Sequence, residues 1–191
     1  MKRDIILAGV GGQGILSIAA VIGLAAVESG LYLKQAEVHG MSQRGGAVQS
    51  HLRLSDAPIA SDLIPEGNCD MILSVEPMEA LRYLPFLSKD GWVVTSSKTF
   101  DNIDDYPPEE EIFQEIRKLE NHVLIDASAI AREIGSQKVS NIIMIGAASD
   151  YLGLTLESLE GALDMLFGRK GKEVVAINIQ ALRAGKNGVK I

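Results

Sequence analysis

The segment GVGGQG, residues 9–14, constrains the fold of this chain more than any other stretch. It follows a short apolar run, residues 4–8, and precedes small and aliphatic residues that continue from Gly14 to Ser29. The short run is typical of a buried strand, and the longer run, which Gly30 stops, predicts a helix buried around its whole circumference. Strand, glycine turn and helix in this order form a βα unit whose helix amides can face an anion.

Apolar runs of strand length alternate with helical segments along the rest of the chain. Strands are predicted over 31–38, 47–54, 69–75, 91–95 and 122–126, and helices from Glu76 and over 127–134, 140–152, 158–167 and 172–184. This order predicts an α/β fold: an open, mostly parallel, Rossmann-like sheet with helices on both faces and a helical C-terminal end. The 191 residues suit a single domain, which we expect to span 1–191.

Composition narrows the classes of partner. The chain has 25 acidic against 18 basic residues and a net charge of −7, which disfavours a diffuse basic surface for nucleic acid or an anionic membrane. The N-terminal apolar run is too short for a signal peptide, and no apolar run approaches membrane-spanning length. We therefore expect a cytoplasmic protein that binds neither nucleic acid nor membrane.

The cysteine and histidine content predicts no metal site. The single cysteine, Cys69, cannot form an intrachain disulfide or by itself hold a zinc ion or an iron–sulfur cluster. Cys69 opens an apolar strand without a cationic neighbour, so we expect a buried, unreactive thiol. His39 and His51 lack the spacing of a catalytic or metal site, and we expect structural roles for them. Any metal or cluster chemistry must then come from a partner chain.

A second glycine-containing loop, HGMSQRGG at residues 39–46, follows the second predicted strand. It contributes three polar side chains and two glycines: Ser42, Gln43, Arg44, Gly45 and Gly46. The planar guanidinium of Arg44 suits a carboxylate or phosphate, although it could instead pair with a nearby side-chain carboxylate. Ligands of open α/β sheets bind beyond the carboxyl ends of the strands, and both glycine loops are expected at that edge.

The first glycine loop, taken alone, leaves three interpretations open. In a dinucleotide-binding protein, Gly9, Gly11 and Gly14 would approach a pyrophosphate, and Glu37 would bind ribose hydroxyls from the end of the second strand. In a purely structural role, the glycines only permit a tight turn between strand and helix. In the third, the turn contacts another phosphate or the edge of another cofactor.

Asn141 begins the segment SNIIMIGAAS, which contains many small residues. Asparagine is a favoured residue at helix N-termini, so Asn141 could cap the helix predicted over 140–152. Its amide could equally reach back to a loop. The sequence favours neither interpretation.

Three segments together resemble the gamma-type domain of the 2-oxoacid:ferredoxin oxidoreductases. They are AGVGGQG after the first predicted strand, AEVHGMSQRGGAVQSHLR after the second, and SNIIMIGAAS before the helical end. They span almost the whole chain in the family's order. Within this family, the segment VHGMSQRGG is most similar to the branch that acts on indolepyruvate.

The resemblance implies a role in a multi-subunit oxidoreductase. In such a complex, thiamine diphosphate attacks the 2-oxo carbon, carbon dioxide leaves, electrons pass through iron–sulfur clusters to ferredoxin, and the acyl group ends on coenzyme A. A large alpha subunit would hold the thiamine diphosphate, magnesium and clusters, because this chain lacks the cysteines and the thiamine motif. The chain could also form a homodimer.

The resemblance further implies which residues face the cleft for thiamine and coenzyme A. The expected cofactor-facing residues are Gly11, Gly12, Gln13, Gly14, Gly45, Gly46 and Asn141, and the expected catalytic residues are Ser42, Gln43 and Arg44. Two other functions stay open on the sequence. One is a free-standing protein that binds NAD or FAD, and the other is an assembly subunit whose loops contact only its partner.

Overall fold

A computed structural model gives the fold of the chain and describes residues 1–39, 45–101 and 103–189. The strands are β1 (Lys2–Val10), β2 (Tyr32–His39), β3 (Ala47–Ser55), β4 (Cys69–Ser74), β5 (Leu87–Ser96) and β6 (His122–Ile125). The α-helices are α1 (Ile15–Glu28), α2 (Pro77–Arg82), α3 (Glu109–Arg117), α4 (Ala127–Ile134), α5 (Ser140–Ala148), α6 (Leu156–Phe167) and α7 (Lys172–Gly188). The helix predicted over 140–152 thus ends at Ala148, α4 has the predicted ends, and the other predicted elements are present with shifted ends.

The strands form one sheet in the order β2-β3-β1-β4-β5-β6. The neighbours β1, β4, β5 and β6 pair in parallel, whereas β3 pairs antiparallel with both β1 and β2. Parallel neighbours need a crossover, which the helices supply, but β2 and β3 follow each other closely and therefore run in opposite directions. The predicted α/β fold is confirmed, with β3 as its one reversed strand among the described elements.

Both faces of the sheet are covered, which explains the uninterrupted apolar run at residues 5–8 of β1. Ile5 and Leu7 lie in the larger core with the helices α1, α5 and α6, whereas Ile6 and Ala8 lie in a smaller core on the opposite face. A strand whose successive side chains point to two buried faces needs apolar residues throughout. No helix within the described ranges combines the length and apolar composition needed to cross a bilayer.

The prediction that the first helix is buried around its whole circumference is wrong for one face. Residues such as Ile18 and Ile22 are fully buried, but Leu16 is 57% exposed and Val27 is 50% exposed. Because the residues of α1 are apolar on every side, its sequence carries no signal for the stripe that faces the core. Only the packing of α1 distinguishes its exposed stripe, which includes Leu16 and Val27.

Two glycines bring α5 and α7 into backbone contact. A Cβ atom on Gly146 would lie 2.0 Å from the carbonyl oxygen of Leu182, and one on Gly185 would lie 2.0 Å from that of Ile143. No larger residue fits either position without separating the helices. This close crossing holds α5, and with it Asn141 in the first turn, against the carboxyl edge of the sheet.

Candidate functional site

The two glycine loops contact each other at the carboxyl edge of the sheet, as predicted. The amide of Gly11 donates to the carbonyl of Gly46 at 2.8 Å, and the amide of Gly45 donates to the carbonyl of Gly11 at 3.5 Å. The loops meet because β3 runs antiparallel to β1, so that the start of β3 lies beside the end of β1. The predicted catalytic residues Ser42, Gln43 and Arg44 lie outside the described residues, and their roles stay predictions.

The side chain of Gln13 closes the first loop on itself. Its Oε1 accepts from the backbone amide of Val10 at 2.7 Å, while the backbone amide of Gln13 donates to the carbonyl of Val10 at 3.0 Å. Gly12 and Gly14 adopt left-handed conformations with φ of 98° and 81°, which favour glycine. A Cβ on Gly12 would meet no atom within 4 Å, so this residue presents bare backbone to open space.

Asn141 reaches back to the first glycine loop. Its Nδ2 donates to the carbonyls of Gln13 at 2.9 Å and Gly14 at 3.3 Å. The N-cap of α5 is Val139, and no side chain caps that helix. A Cβ on Gly14 would lie 2.3 Å from this Nδ2, so glycine at position 14 makes room for the asparagine. Of the two roles open for Asn141 on the sequence, the structure shows the loop contact.

A cavity of about 390 Å³ opens beside this loop. Residues at or beyond the ends of β1, β4 and β5 form one wall, and the start of α4, the turn before α5 and the start of α5 form the other. Its lining includes Gly12, Gln13, Ser96, Lys98, Phe100, Ser128, Lys138, Ser140 and Asn141. The volume lies within the usual range for small-molecule sites, and the position is that expected for a ligand of an open α/β sheet.

The polar lining of the cavity suits an anion. Lys98 and Lys138 contribute two ammonium groups, three serines contribute hydroxyls, and the described lining includes no carboxylate. Neither lysine forms an ion pair with a described carboxylate. On a chain with a net charge of −7, two unpaired lysines in one cavity are a local positive site.

The sequence reading did not single out Lys98, Lys138 or Ser128. A signal for two of them was present, because Lys98 follows β5 closely and Ser128 follows β6, and residues just beyond parallel strands line such sites. No comparable signal marks Lys138, which precedes α5 and joins the others through packing alone.

The position of Glu37 differs from that of the acidic residue in the dinucleotide-binding fingerprint. Glu37 and Leu7 both pair with Ser50, so the whole width of β3 separates Glu37 from β1. Two strand spacings amount to about 10 Å. In addition, the amides of Gly11 and Gln13 already donate to backbone carbonyls and do not face a ligand. These features weigh against the ribose and pyrophosphate roles.

Cys69 and His51 are structural, as predicted. The buried Cys69 thiol donates to the carbonyl of Met71 at 2.9 Å, and burial raises its pKa to about 12. The buried His51 ring accepts at Nδ1 from the amide of Ile64 at 3.0 Å, and burial lowers its pKa. Within the described residues, no three potential ligands group as a metal site would require. These residues do not fit an iron–sulfur cluster or a metal ion.

Solved structures share this fold. A 2-oxoglutarate:ferredoxin oxidoreductase from Magnetococcus marinus, solved with 2-oxoglutarate, coenzyme A and succinyl-CoA, matches 97% of this chain with a TM-score of 0.78 and 24% identity. The chain spans 30% of the length of that protein. A pyruvate oxidoreductase subunit from Thermotoga maritima matches 99% of this chain and 97% of its own length, with a TM-score of 0.76 and 24% identity.

Proteins found by sequence similarity have higher identity to this chain than these two structures. The indolepyruvate oxidoreductase subunit IorB of Archaeoglobus fulgidus is 36% identical over 98% of this chain and 95% of its own length. The 2-oxoglutarate synthase subunit KorC of Methanothermobacter marburgensis is 28% identical over 97% of this chain and 96% of its own. The family model described as pyruvate ferredoxin/flavodoxin oxidoreductase matches residues 4–188. The chain therefore belongs to the pyruvate ferredoxin/flavodoxin oxidoreductase family.

Proposed function

We propose that this chain is the small subunit of a 2-oxoacid:ferredoxin oxidoreductase, that its cavity binds the phosphate-bearing part of coenzyme A, and that the 2-oxoacid is an aryl pyruvate such as indolepyruvate. The family supports the first statement, as do the two relatives above, which are named as an indolepyruvate oxidoreductase subunit and a 2-oxoglutarate synthase subunit. The identity of 36% to a subunit named for indolepyruvate, against 28% to one named for 2-oxoglutarate, supports the choice of substrate.

The observation that carries the proposal is the pair of unpaired lysines in the cavity at the carboxyl edge. Coenzyme A bears a diphosphate and a 3′-phosphate, to which several hydroxyls can donate and whose negative charge two ammonium groups can offset in part. The cavity is too small for the whole molecule, so the pantetheine arm with its thiol would extend beyond it. The coenzyme A present in the structurally similar 2-oxoglutarate enzyme is consistent with a ligand of this class.

The glycine loops and Asn141 have supporting roles in this proposal. Asn141 and the Gln13 side chain hold the first loop in shape, and Gly12 leaves its backbone open to the cavity. We keep Ser42, Gln43 and Arg44 as proposed contacts to the substrate carboxylate or to a phosphate.

The redox cofactors belong to a partner in this proposal. The single buried Cys69 does not fit a cluster, and no group of potential metal ligands occurs in the described residues. We therefore assign thiamine diphosphate, magnesium and the iron–sulfur clusters to a large alpha subunit, from which ferredoxin takes its electrons. A cytoplasmic location and a homodimer stay predictions from the sequence.

The direct test is to co-express this chain with a large subunit that carries a thiamine motif and cysteine clusters. The purified complex is assayed for coenzyme A-dependent reduction of ferredoxin with indolepyruvate, pyruvate and 2-oxoglutarate. We expect the highest kcat/KM for indolepyruvate. A complex that prefers pyruvate or 2-oxoglutarate would refute the substrate, and the absence of any such activity in a cofactor-loaded complex would refute the function.

The dinucleotide alternative is tested separately on the full chain alone. Calorimetric titration with NADH, NADPH and FAD is expected to give no binding tighter than millimolar. A low-micromolar dissociation constant for any of these ligands would favour the free-standing dinucleotide-binding protein. In the assembly-subunit alternative, variants of the cavity would leave turnover unchanged in a normally formed complex.

A further inference from the structure

A buried carboxylate lies at the carboxyl edge of the sheet but does not line the cavity. Glu76 follows β4 and is 1% exposed. Its backbone is fixed on both sides by the hydroxyl of Ser74, which donates to the Glu76 carbonyl at 2.5 Å and accepts from the Glu76 amide at 3.2 Å. Its Oε2 accepts from the amide of Glu79 at 2.7 Å and so caps α2. Glu76 is therefore a rigid anchor.

The other carboxylate oxygen of Glu76 holds the connection between β5 and α3 at two points. Its Oε1 accepts from the hydroxyl of Tyr106 and from the amide of Phe100 at 3.4 Å. Burial, followed by the charge and hydrogen bond of Glu76, raises the pKa of Tyr106 above its usual value, so the phenol stays a donor at neutral pH. One oxygen thus ties both ends of the stretch 100–106 to β4.

Residues at the start of the tied stretch and just before it line the cavity. Lys98 and Phe100 both line it, and Phe100 is 41% exposed, with little packing of its own to fix it. The start of the segment has its own anchors, because the amide of Ser97 donates to the carbonyl of Ile125 at 2.9 Å and the amide of Lys98 donates to the Ser96 hydroxyl at 3.1 Å. The Thr99 hydroxyl donates to the carboxylate of Glu109, which is exposed. The contacts to Glu76 add a buried anchor at Phe100 and Tyr106, just beyond Lys98.

We propose that Glu76 and Tyr106 are positioning residues, which hold Lys98 and Phe100 against the cavity so that the Lys98 ammonium meets the phosphates of the bound ligand. This inference rests on the proposed binding of coenzyme A. It adds to that proposal a pair of residues that touch no ligand and act through the segment they fix.

The test is Tyr106→Phe in the assembled complex, since this variant keeps the ring and removes only the hydroxyl. We expect KM for coenzyme A to rise about 3- to 10-fold while kcat and KM for the 2-oxoacid stay within about twofold, as loss of one charge-assisted hydrogen bond predicts. Amide hydrogen exchange should accelerate in the peptide 97–101 and not in β4. Tyr32→Phe, on the exposed edge strand β2, is the matched control and should change neither quantity.

Glu76→Gln is a second variant. A carboxamide offers one acceptor oxygen for the three donors that Glu76 now serves, so KM for coenzyme A should rise at least as much as in Tyr106→Phe.

Lys98→Ala separates the positioning role from the binding of coenzyme A in the cavity. If Lys98→Ala raises KM for coenzyme A but Tyr106→Phe does not, the positioning role is refuted and the cavity assignment stands. If neither variant changes KM, the cavity assignment fails and the positioning role fails with it.

Discussion

The two ends of the sheet carry positive charge in opposite ways. At the amino end, Arg53 forms two hydrogen bonds to the carboxylate of Asp4, at 2.7 and 2.9 Å, and Lys2 adds an ion pair at 2.8 Å. Asp4 is fully buried, and the Arg53 guanidinium also donates to two backbone carbonyls. At the carboxyl end, Lys98 and Lys138 face a cavity without a carboxylate partner among the described residues. Charge that is fully paired inside the protein stabilises the fold, whereas unpaired charge beside open backbone is available to a ligand.

The largest effect on stability is expected at the amino end. Arg53→Ala leaves the Asp4 carboxylate buried without its main partner and should lower the free energy of unfolding by about 3 kcal/mol, measured by urea denaturation. The matched control is Arg183→Ala, which removes an equally bidentate pair with Glu160 whose arginine is exposed, and it should cost much less. Equal losses in the two variants would contradict the distinction between buried and exposed pairs.

At the carboxyl end, Gly14 and Gly12 should respond differently to alanine. Both have positive φ, so each substitution carries a backbone cost of about 1–2 kcal/mol. Gly14→Ala also forces its Cβ against Asn141, whereas the Cβ of Gly12→Ala meets open space. Thermal unfolding should therefore show a clearly larger loss for Gly14→Ala. A larger loss for Gly12→Ala would mean that the loop packs differently.

Asn141→Ala should cost about 1–2 kcal/mol in unfolding free energy, because two loop carbonyls lose their donor. In the double variant with Gly14→Ala, the clash between the two side chains is gone, so the combined loss should be smaller than the sum of the single losses. Additive losses would show that Asn141 does not occupy the space beside Gly14.

The pH dependence of stability should test the ion pairs of Asp4 at the amino end of the sheet. Burial raises the pKa of Asp4, but hydrogen bonds and charge from Arg53 and Lys2 outweigh burial and leave it below its usual value of 3.8. A lowered carboxyl pKa stabilises the folded state above pH 3.8, and this stability is lost as the pH falls through the lower value. Arg53→Ala should therefore lose less stability than the wild type on acidification, as acid titrations followed by circular dichroism would show. Parallel acid profiles would exclude the ion pair as their cause.

The sequence predicts the features that residues close together in the chain determine, and it does not predict those that depend on long-range contacts. The βα unit around GVGGQG and the meeting of the two glycine loops follow from local pattern and from the rule that strand ends share an edge. The insertion of β3 between β1 and β2, which separates Glu37 from the first loop, depends on long-range pairing and was not predicted. The exposed stripe of α1 was missed because the helix is apolar on all sides.

The candidate site shows the same limit. The contact between Asn141 and Gln13 was one of two open interpretations, and packing of α5 decides between them. Lys98 and Lys138 are distant in sequence and come together only because β5 and α5 flank one cavity. No sequence period relates Glu76 to Tyr106.

The most direct test of the central claim is the KM for coenzyme A in the complex that carries Lys98→Ala together with Lys138→Ala. We expect a rise of about tenfold, a weaker dependence of this KM on ionic strength, and unchanged thermal stability, since both side chains are exposed. The control, Lys89→Ala with Lys172→Ala, makes the same change in net charge away from the cavity and should leave KM unchanged. An unaltered KM in the cavity variant, or an equal rise in the control, would contradict the account.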